Sequence, residues 1–388
     1  MEKKQKIGVL IDRLNVGGVE KIAIEEVKAL RLLKIDASLV VLRRKGVVEN
    51  AFPDLRKGLP TIYLDDRLPK FLTFSFKFPI FSFFSFFHVT YPFLLPFVVK
   101  KCEFDYLIVH GTYTAFTAIS LRKIRGIKFS TFIWDPIGYI LARAYPKNLS
   151  VFLSLFIRLA NILDRLIIDN SDEVLVGGNA HNEYIKHLNP KAIIRIISPS
   201  VHPRNIILKN KKNFVLMVTA WKKGKNPEYL FDLIEKMPQI RIKMVGKWIE
   251  DQYKKEFEDK VKIRKYSANV EIVGGVTEQQ LSQYYSEATV LLQTNDDKGF
   301  GMPALEAAGN GTTFIIPEGQ GVCELFINKI DGFYVKEKDT KAITCNLNLL
   351  INDKKKAINM GKNAWEKVIV NYSWTNHAKS LLDIKMGL

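Results

Sequence analysis

Short apolar runs alternate with longer amphipathic stretches along most of the chain. In the first half the strand-sized runs are KIGVLI (6–11), ASLVVL (37–42), YLIVHG (106–111), FSTFIW (129–134) and EVLVGG (173–178). A second series comprises FVLMVT (214–219), RIKMVG (241–246), VEIVG (270–274), ATVLLQ (288–293) and TFIIP (313–317). Strands that alternate with helices form parallel sheets covered on both faces. The pattern predicts two α/β domains with a cleft between them and a boundary near residue 205.

The stretch 69–99 departs from this pattern. It is rich in phenylalanine and carries no charge between Lys77 and Lys100. Its length is enough for a bilayer, but its prolines and serines argue against an uninterrupted spanning helix. Three interpretations stay open: a transmembrane span, a buried helix pair of the N-terminal domain, and an exposed apolar hairpin that enters a membrane interface between flanking lysines.

Composition adds a strong positive charge to this picture. The 388 residues are too many for one core, and 47% hydrophobic with 25% charged residues is an ordinary globular balance. Lys+Arg 58 against Asp+Glu 40 gives a formal charge of +18. Such a surplus favours acidic lipid, nucleic acid or a phosphate-bearing substrate, although it can also simply solvate the surface. The lysines are dispersed and not interleaved with aromatic residues, so we predict no nucleic-acid partner.

Cysteines and acids give no sign of a metal centre. Cys102, Cys323 and Cys345 are far apart, which excludes a zinc knuckle and a disulfide framework and indicates a reducing, cytoplasmic location. The adjacent acids Asp65–Asp66 and Asp296–Asp297 are typical of solvated turns, so no metal is predicted. The basic start of the chain does not indicate a signal peptide, because charges at 12 and 13 interrupt the apolar run that follows it.

Glycines after the first strand suggest a phosphate-binding turn. Gly17 and Gly18 follow the first apolar run and precede a helical stretch from Val19 to Leu33. Glycine lets the backbone approach a ligand closely, and a helix start offers unpaired N–H groups. A tight strand-to-helix turn without a ligand explains the pair equally well.

Two segments of the second half together predict a diphosphate site. VTAWKKGKNPEYL (218–230) leads from a strand into a loop with lysines at 222, 223 and 225, before a helix opened by Pro227. In KGFGMPALEAAGNG (298–311), residues 299–302 precede a helix that starts at about Pro303. Lysine ammonium groups and helix-start amides would then meet at the carboxyl end of the sheet, where open α/β sheets bind ligands.

With the GGVE loop (17–20), VGGVTEQQLSQYYSEATVLLQ (273–293) and YSWTNHAKSLL (372–382), these segments resemble the retaining glycosyltransferases of family 4 over nearly the whole chain. The resemblance implies the GT-B architecture: Rossmann-like domains at 1–205 and 206–370, facing across a cleft, and a C-terminal helix in 371–388 that packs back on the first domain. It also implies transfer from a nucleotide-diphosphate sugar to a glycan or lipid-linked acceptor, with retention and with no cofactor. Peripheral contact with the cytoplasmic face of a membrane, through 69–99, would suit a lipid acceptor.

The resemblance carries over to individual residues. Lys225 would neutralise the donor diphosphate, Glu306 would hold the ribose hydroxyls, and Asp135 would share the catalytic role with Lys225. The full donor side comprises Gly17, Gly18, Lys223, Gly275, Val276, Lys298, Gly299, Phe300, Gly301, Met302 and Glu306. Trp134 and His110 are assigned to the acceptor side.

Three positions depart from the family's pattern. Lys298 replaces the first acid of the E-x7-E motif, Ala220 stands where an arginine commonly joins the lysine, and Trp134 replaces a histidine. These replacements motivate an alternative, in which the chain binds a nucleotide sugar or a partner protein without transferring the sugar.

Overall fold

A computed structural model of the chain describes residues 5–15, 17–44, 52–73, 86–144, 151–204, 211–222, 225, 227–294, 299–337 and 339–383. The chain divides into two compact units. Unit 1 comprises Met1–Pro199 and Trp374–Leu388, and unit 2 comprises Ser200–Ser373. The first division lies a few residues before the predicted boundary at 205, and the last helix of the chain belongs to unit 1.

Unit 1 is built on a seven-stranded parallel sheet. Its strands are β1 (Lys6–Ile11), β2 (Asp36–Val41), β3 (Thr61–Tyr63), β4 (Tyr106–His110), β5 (Lys128–Phe132), β6 (Val174–Val176) and β7 (Ile194–Ile196), in the order β3-β2-β1-β4-β5-β6-β7. Its helices are α1 (Gly18–Leu32), α2 (Pro53–Arg56), α3 (Phe86–Val98), α4 (Thr112–Arg125), α5 (Ile137–Ala144), α6 (Val151–Asn170) and α7 (Asn182–Leu188). The C-terminal helix, Trp374–Leu382, packs against α1.

The stretch 69–99 is only partly described. Lys70–Leu72 form a 3-10 turn, residues 74–85 lie outside the described part of the chain, and α3 follows. α3 packs on α4, buries Tyr91 and Leu95, and exposes Phe93 and Phe97. In the described residues, no helix is both long and apolar enough to cross a membrane.

The last carbonyl groups of α3 accept hydrogen bonds from α4. Pro92 and Pro96 lie within the helix, and a proline cannot donate a backbone hydrogen bond. The Arg125 guanidinium donates to the carbonyl groups of Pro96 at 2.6 Å and of Phe97 at 3.2 Å. The end of α3 is thereby fixed to the end of α4.

Unit 2 repeats the architecture with a six-stranded parallel sheet. Its strands are β8 (Val215–Val218), β9 (Ile242–Val245), β10 (Val270–Gly274), β11 (Val290–Leu292), β12 (Thr313–Pro317) and β13 (Phe333–Val335), in the order β10-β9-β8-β11-β12-β13. Its helices are α8 (Tyr229–Lys236), α9 (Asp251–Ile263), α10 (Glu278–Glu287), α11 (Met302–Gly309), α12 (Thr340–Asn352) and α13 (Lys354–Asn371). The C-terminal helix of unit 1 is therefore α14.

In each sheet the order of the strands reverses once, between the first and the fourth strand of that unit. These neighbours are β1 and β4 in unit 1, and β8 and β11 in unit 2. Connections leave such a pair in opposite directions, which opens a crevice beyond the carboxyl ends of the two strands. The Gly17–Gly18 turn follows β1, and the Lys225 and Gly299–Met302 loops follow β8 and β11. The fold therefore carries these predicted segments to the crevice of each sheet.

Candidate functional site

The loop after β8 and the end of β11 contact each other directly. The carbonyl group of Lys225 accepts a hydrogen bond from the Thr294 hydroxyl at 3.4 Å. The Lys225 N–H donates to the Lys222 carbonyl at 3.1 Å, which closes the loop into a turn. The loop that carries Lys225 therefore lies against the end of β11, the strand that precedes the second predicted segment, 298–311. Lys223 and Lys298 lie outside the described residues.

The turn before α11 depends on glycine. Gly301 precedes the helix with φ +90°, a conformation that L side chains rarely adopt. A Cβ at this position would lie 2.6 Å from the Gln320 Oε1 atom and 2.7 Å from Val322 Cγ1. The Val322 N–H donates to the Phe300 carbonyl at 2.7 Å and holds the turn in place. Gly301 supplies no side-chain cap, Pro303 has no N–H group, and the Ala304 N–H donates to the Gly301 carbonyl at 3.0 Å. The amide that the start of α11 can offer to an anion is therefore that of Met302.

Glu306 is oriented by a buried tyrosine. Its side chain is half-buried on α11, and its Oε2 atom accepts a hydrogen bond from the Tyr285 hydroxyl at 2.7 Å. Burial, then the charge of Glu306, raise the pKa of Tyr285 well above its usual range, so this hydroxyl stays a donor. Tyr285 is not among the predicted site residues. Its available signal was its position on α10, where Ser282 and Tyr285 form the buried side of a polar helix.

The predicted nucleobase contacts border the same hydrophobic cluster as the turn. Val276, Phe300 and Met302 all pack, half-buried, against the cluster that contains Leu305 and Tyr285. Gly275 beside them is exposed. The residues predicted to contact the diphosphate and the nucleobase therefore lie along one packed surface of unit 2.

In unit 1 the predicted glycine turn is closely covered by an acid. α1 begins at Gly18, and a Cβ on Gly17 would lie 2.3 Å from the Glu20 Oε2 atom. Burial raises the pKa of Glu20, and hydrogen bonds from the backbone of Glu20 itself and of Asn15 oppose that rise. Glu20 is the acid in the first turn of α1 and is not among the predicted site residues.

A cavity of about 400 Å³ opens beside the same helix start. Trp134 and Asp135 lie in its wall, as does Thr112, whose hydroxyl donates to the Asp135 carbonyl at 3.5 Å. The rest of the wall comprises Val19, Gly111, Tyr113, Ile137, Ile140 and Leu141. Two predicted residues, Trp134 and Asp135, thus share one pocket.

A buried carboxylate, that of Asp164, holds the segment of the pocket wall that begins at Ile137. Asp164, on α6, accepts hydrogen bonds from the N–H groups of Ile137 and Gly138 at 3.1 and 2.8 Å. The Tyr184 hydroxyl donates to the same carboxylate at 2.7 Å. Burial raises the pKa of Asp164, and these hydrogen bonds oppose the rise. The carboxylate takes the place of a missing N-cap for α5 and so fixes the segment that carries the pocket.

His110 does not line the pocket. Its side chain is fully buried, and the Trp134 indole N–H donates to the His110 Nδ1 atom at 3.2 Å. Its predicted acceptor-side role is therefore, at most, an indirect one through Trp134.

Comparisons with known proteins place this geometry in context. Residues 201–367 match the family model described as Glycosyl transferases group 1. The structure is similar to HepE from Anabaena in complex with UDP and glucose, with a TM-score of 0.75 and 16% identity over 99% of this chain and 100% of that one. The matches support a GT-B glycosyltransferase. The predicted α/β fold with two Rossmann-like parallel-sheet domains is confirmed.

A second solved structure is similar in fold, and two curated relatives are similar in sequence. Sucrose-phosphate synthase from Thermosynechococcus elongatus has a TM-score of 0.77 at 17% identity, over 97% of both chains. A Campylobacter jejuni N,N'-diacetylbacillosaminyl-diphospho-undecaprenol alpha-1,3-N-acetylgalactosaminyltransferase is 24% identical over 70% of this chain and 74% of its own length. An uncharacterized glycosyltransferase of Methanocaldococcus jannaschii is 25% identical over 47% of this chain, and the match spans about half (46%) of that relative. The finer assignments, family 4 and retention, stay predictions.

Metal ligands are not concentrated anywhere in the described part of the chain. Its residues form no group of three His, Cys, Asp or Glu side chains that could hold a metal ion. In the donor-side crevice of unit 2 the described groups that suit a diphosphate are instead a lysine and a helix start.

Proposed function

We propose that the protein is a glycosyltransferase that moves a sugar from a nucleotide-diphosphate sugar to a glycan or lipid-linked acceptor. The contact between the Lys225 loop and the end of β11 supports this most directly. The same end of the sheet also carries the helix start after Gly301 and the oriented carboxylate of Glu306. A nucleoside diphosphate needs positive charge for its phosphates and an acceptor for its ribose hydroxyl groups, and these residues supply both.

The chemistry we propose is transfer with retention of the anomeric configuration. The bond between the sugar carbon and the diphosphate oxygen breaks, and the acceptor oxygen bonds to the same face of the sugar. The acceptor proton passes to the departing diphosphate. Lys225 and the N-terminal end of α11 stabilise the charge that develops on this leaving group, a kind of stabilisation worth several kcal/mol in a desolvated site. Because they supply that charge, we propose that transfer needs neither a metal nor a resident cofactor and continues in the presence of a chelator.

The pocket of unit 1 suits the acceptor. Trp134 offers an aromatic face, and Ile137, Ile140 and Leu141 add apolar surface, while Asp135 offers a carboxylate. A sugar ring has an apolar C–H face and outward hydroxyl groups, so one acceptor unit matches this pairing. We assign Asp135 to orienting the acceptor hydroxyl that attacks.

An exposed apolar stripe supports peripheral contact with a membrane at its cytoplasmic face. α6 buries Ala160, Asp164, Ile167 and Ile168 on one side, yet its other side exposes Leu155, Phe156, Leu159, Ile162 and Leu166. Arg158 and Arg165, both exposed, flank the stripe. An apolar helix face bordered by arginines fits the interface of an anionic bilayer. The proposed contact thus includes α6 besides the predicted segment 69–99, and the name of the C. jejuni relative supports a lipid-linked acceptor.

Calorimetric titration with UDP and GDP tests the donor assignment. Lys225→Ala should weaken binding of the matching nucleotide about 10- to 100-fold, since a hydrogen bond to a charged group contributes about 1.5–3 kcal/mol. Lys262→Ala, which removes an exposed lysine from α9, is the matched control and should bind normally. Equal affinity of the Lys225→Ala variant and the unaltered protein would contradict the assignment.

Transfer itself needs a separate assay. Radiolabelled UDP- and GDP-sugars are incubated with a polyprenyl-diphosphate glycan, and the anomeric configuration of the product is read by NMR. Labelled product with the donor's configuration supports the proposal. Tight nucleotide binding without any product would favour the alternative of a binding protein, to which Ala220, Trp134 and Lys298 point.

A further inference from the structure

Two histidines from distant parts of the chain share one buried glutamate. Glu26, on α1, is fully buried, and its Oε2 atom lies 2.7 Å from His110 Nε2. Its Oε1 atom lies 2.9 Å from His377 Nε2, on α14. Both histidine side chains are fully buried as well. All three residues belong to unit 1.

Hydrogen-bonding capacity assigns the protons in this cluster. A carboxylate only accepts, so each imidazole presents an Nε2–H group to Glu26, and an indole only donates, so Trp134 requires a lone pair on His110 Nδ1. His110 is therefore the neutral Nε2–H tautomer. His377 faces an acceptor on each side, because its Nδ1 atom lies 2.9 Å from the Ser198 carbonyl oxygen. Both nitrogens of His377 carry hydrogen, and its positive charge balances that of Glu26.

The acidity of Glu26 agrees with this assignment. Burial alone would raise its pKa, but hydrogen bonds from both histidine rings and the attraction of the charged His377 outweigh burial and hold the pKa well below its usual range. The carboxylate is therefore charged throughout the physiological range. Its two oxygens are divided between the two histidine rings.

Aromatic stacking extends the cluster to the pocket wall. The Phe132 ring stacks on His110 at 4.8 Å and on Trp134 at 5.1 Å, with interplanar angles of 16° and 6°. The His377 ring is nearly parallel to Phe132 at 6.4 Å. The hydrogen bond to His110 fixes the Trp134 ring within this stack.

Burying a glutamate between two histidines is costly, and hydrophobic residues of similar volume often pack equally well or better. What the polar cluster adds over apolar packing is a fixed arrangement of donors and acceptors. We propose that Glu26 and His377 are a positioning pair for the acceptor-side pocket: Glu26 fixes the tautomer of His110, and His110 then holds the Trp134 indole in the pocket wall. The proposal rests on the proposed acceptor role of this pocket, but its test needs no acceptor.

The test is NMR of full-length protein with two labels, 15N-histidine and 5-fluorotryptophan. In the unaltered protein at neutral pH, His110 Nδ1 should be unprotonated, and both nitrogens of His377 should be protonated. Glu26→Gln should shift the 19F signal of Trp134, which a Trp134→Phe variant assigns. The signals of the tryptophans in unit 2, Trp221, Trp248 and Trp365, should stay in place.

Glu25→Gln is the matched control. Glu25 is the neighbouring buried acid on α1, it pairs with Lys28 at 3.9 Å, and its substitution should leave the Trp134 signal unmoved. If Glu26→Gln does not fold, the double variant Glu26→Gln/His377→Gln replaces it, because it leaves no uncompensated buried charge. UDP affinity should be unchanged in Glu26→Gln and in the double variant that replaces it. This result separates failure of this proposal from failure of the donor assignment.

Two results would overturn the proposal. A proton on His110 Nδ1 in the unaltered protein would break the chain of hydrogen bonds from Glu26 to Trp134. A Glu26→Gln variant that melts at a lower temperature but keeps the Trp134 signal in place would show that the cluster only fastens α14 to α1.

Discussion

Glu306 takes its orientation from Tyr285, so the two side chains should affect nucleotide binding unequally. Glu306→Gln removes the charge that accepts from the ribose and should weaken UDP binding by about 1.5–3 kcal/mol. Tyr285→Phe keeps the carboxylate and removes one hydrogen bond, so a loss of about 1 kcal/mol is expected. Calorimetry with UDP measures both variants. A larger loss in Tyr285→Phe than in Glu306→Gln would contradict the assignment of the ribose to Glu306.

Individual side chains show where reasoning from the sequence stopped. Glycines and lysines near strand ends were visible as motifs, and Lys225 does contact the end of β11 through its backbone. Tyr285 was hidden because a tyrosine on an amphipathic helix looks like an ordinary core residue. Glu26 and His377 are 351 positions apart, and no local pattern reports a contact across that distance.

The turn that begins α11 should be sensitive to one added methyl group. Gly301→Ala combines an unfavourable φ with a close approach to Gln320 and Val322, so it should cost about 1–3 kcal/mol of stability and lower UDP affinity. A Cβ on Gly275 meets no atom within 4 Å, so Gly275→Ala should leave the melting temperature unchanged. Thermal unfolding compares the two variants, and equal melting temperatures would refute the constraint at Gly301.

The attachment of α14 to α1 should weaken in acid. The pKa of Glu26 is about 2 in the folded chain against its usual 4.5, so the folded state favours the ionised carboxylate. The stabilisation is fully present above about pH 4.5 and is lost as pH falls through about 2. Denaturant unfolding at a series of pH values should therefore show a shallower acid loss in Glu26→Gln than in Glu25→Gln. Identical slopes would count against the ionised state of Glu26.

Strands were predictable in proportion to their burial. β1 coincides with the predicted run 6–11, because a strand buried on both faces of a parallel sheet leaves a continuous apolar segment. β3, β7 and β13 were missed: each has only three residues, no residue of β3 or β7 is buried, and β13 is interrupted by the half-buried Tyr334. Helix α3 lies in a stretch for which three interpretations stayed open, because prolines and serines obscure its period.

The surplus of positive charge and the stripe on α6 predict binding to anionic vesicles. Full-length protein should sediment with vesicles that contain phosphatidylglycerol, less so with phosphatidylcholine alone, and less at high salt. Leu159→Glu/Ile162→Glu should reduce binding about tenfold or more, since burial of each side chain contributes about 1.5–3 kcal/mol. Ile263→Glu, at a position 80% exposed on α9, should have no effect.

Another occupant of the stripe would give a different result. If Leu159→Glu/Ile162→Glu changes the sedimentation coefficient of the protein without vesicles, the stripe joins two copies of the chain. Failure of the unaltered protein to bind anionic vesicles would remove the bilayer from the proposed function while leaving the donor assignment intact.

The return of α14 to unit 1 affects the order in which the protein is made. During translation, residues 1–199 leave the ribosome before the helix that carries His377. Until that helix is made, Glu26 lacks its second histidine partner. Unit 2 is one continuous segment and is complete before that helix emerges. Unit 1 is therefore the first unit to be synthesised and the last whose fold can be completed.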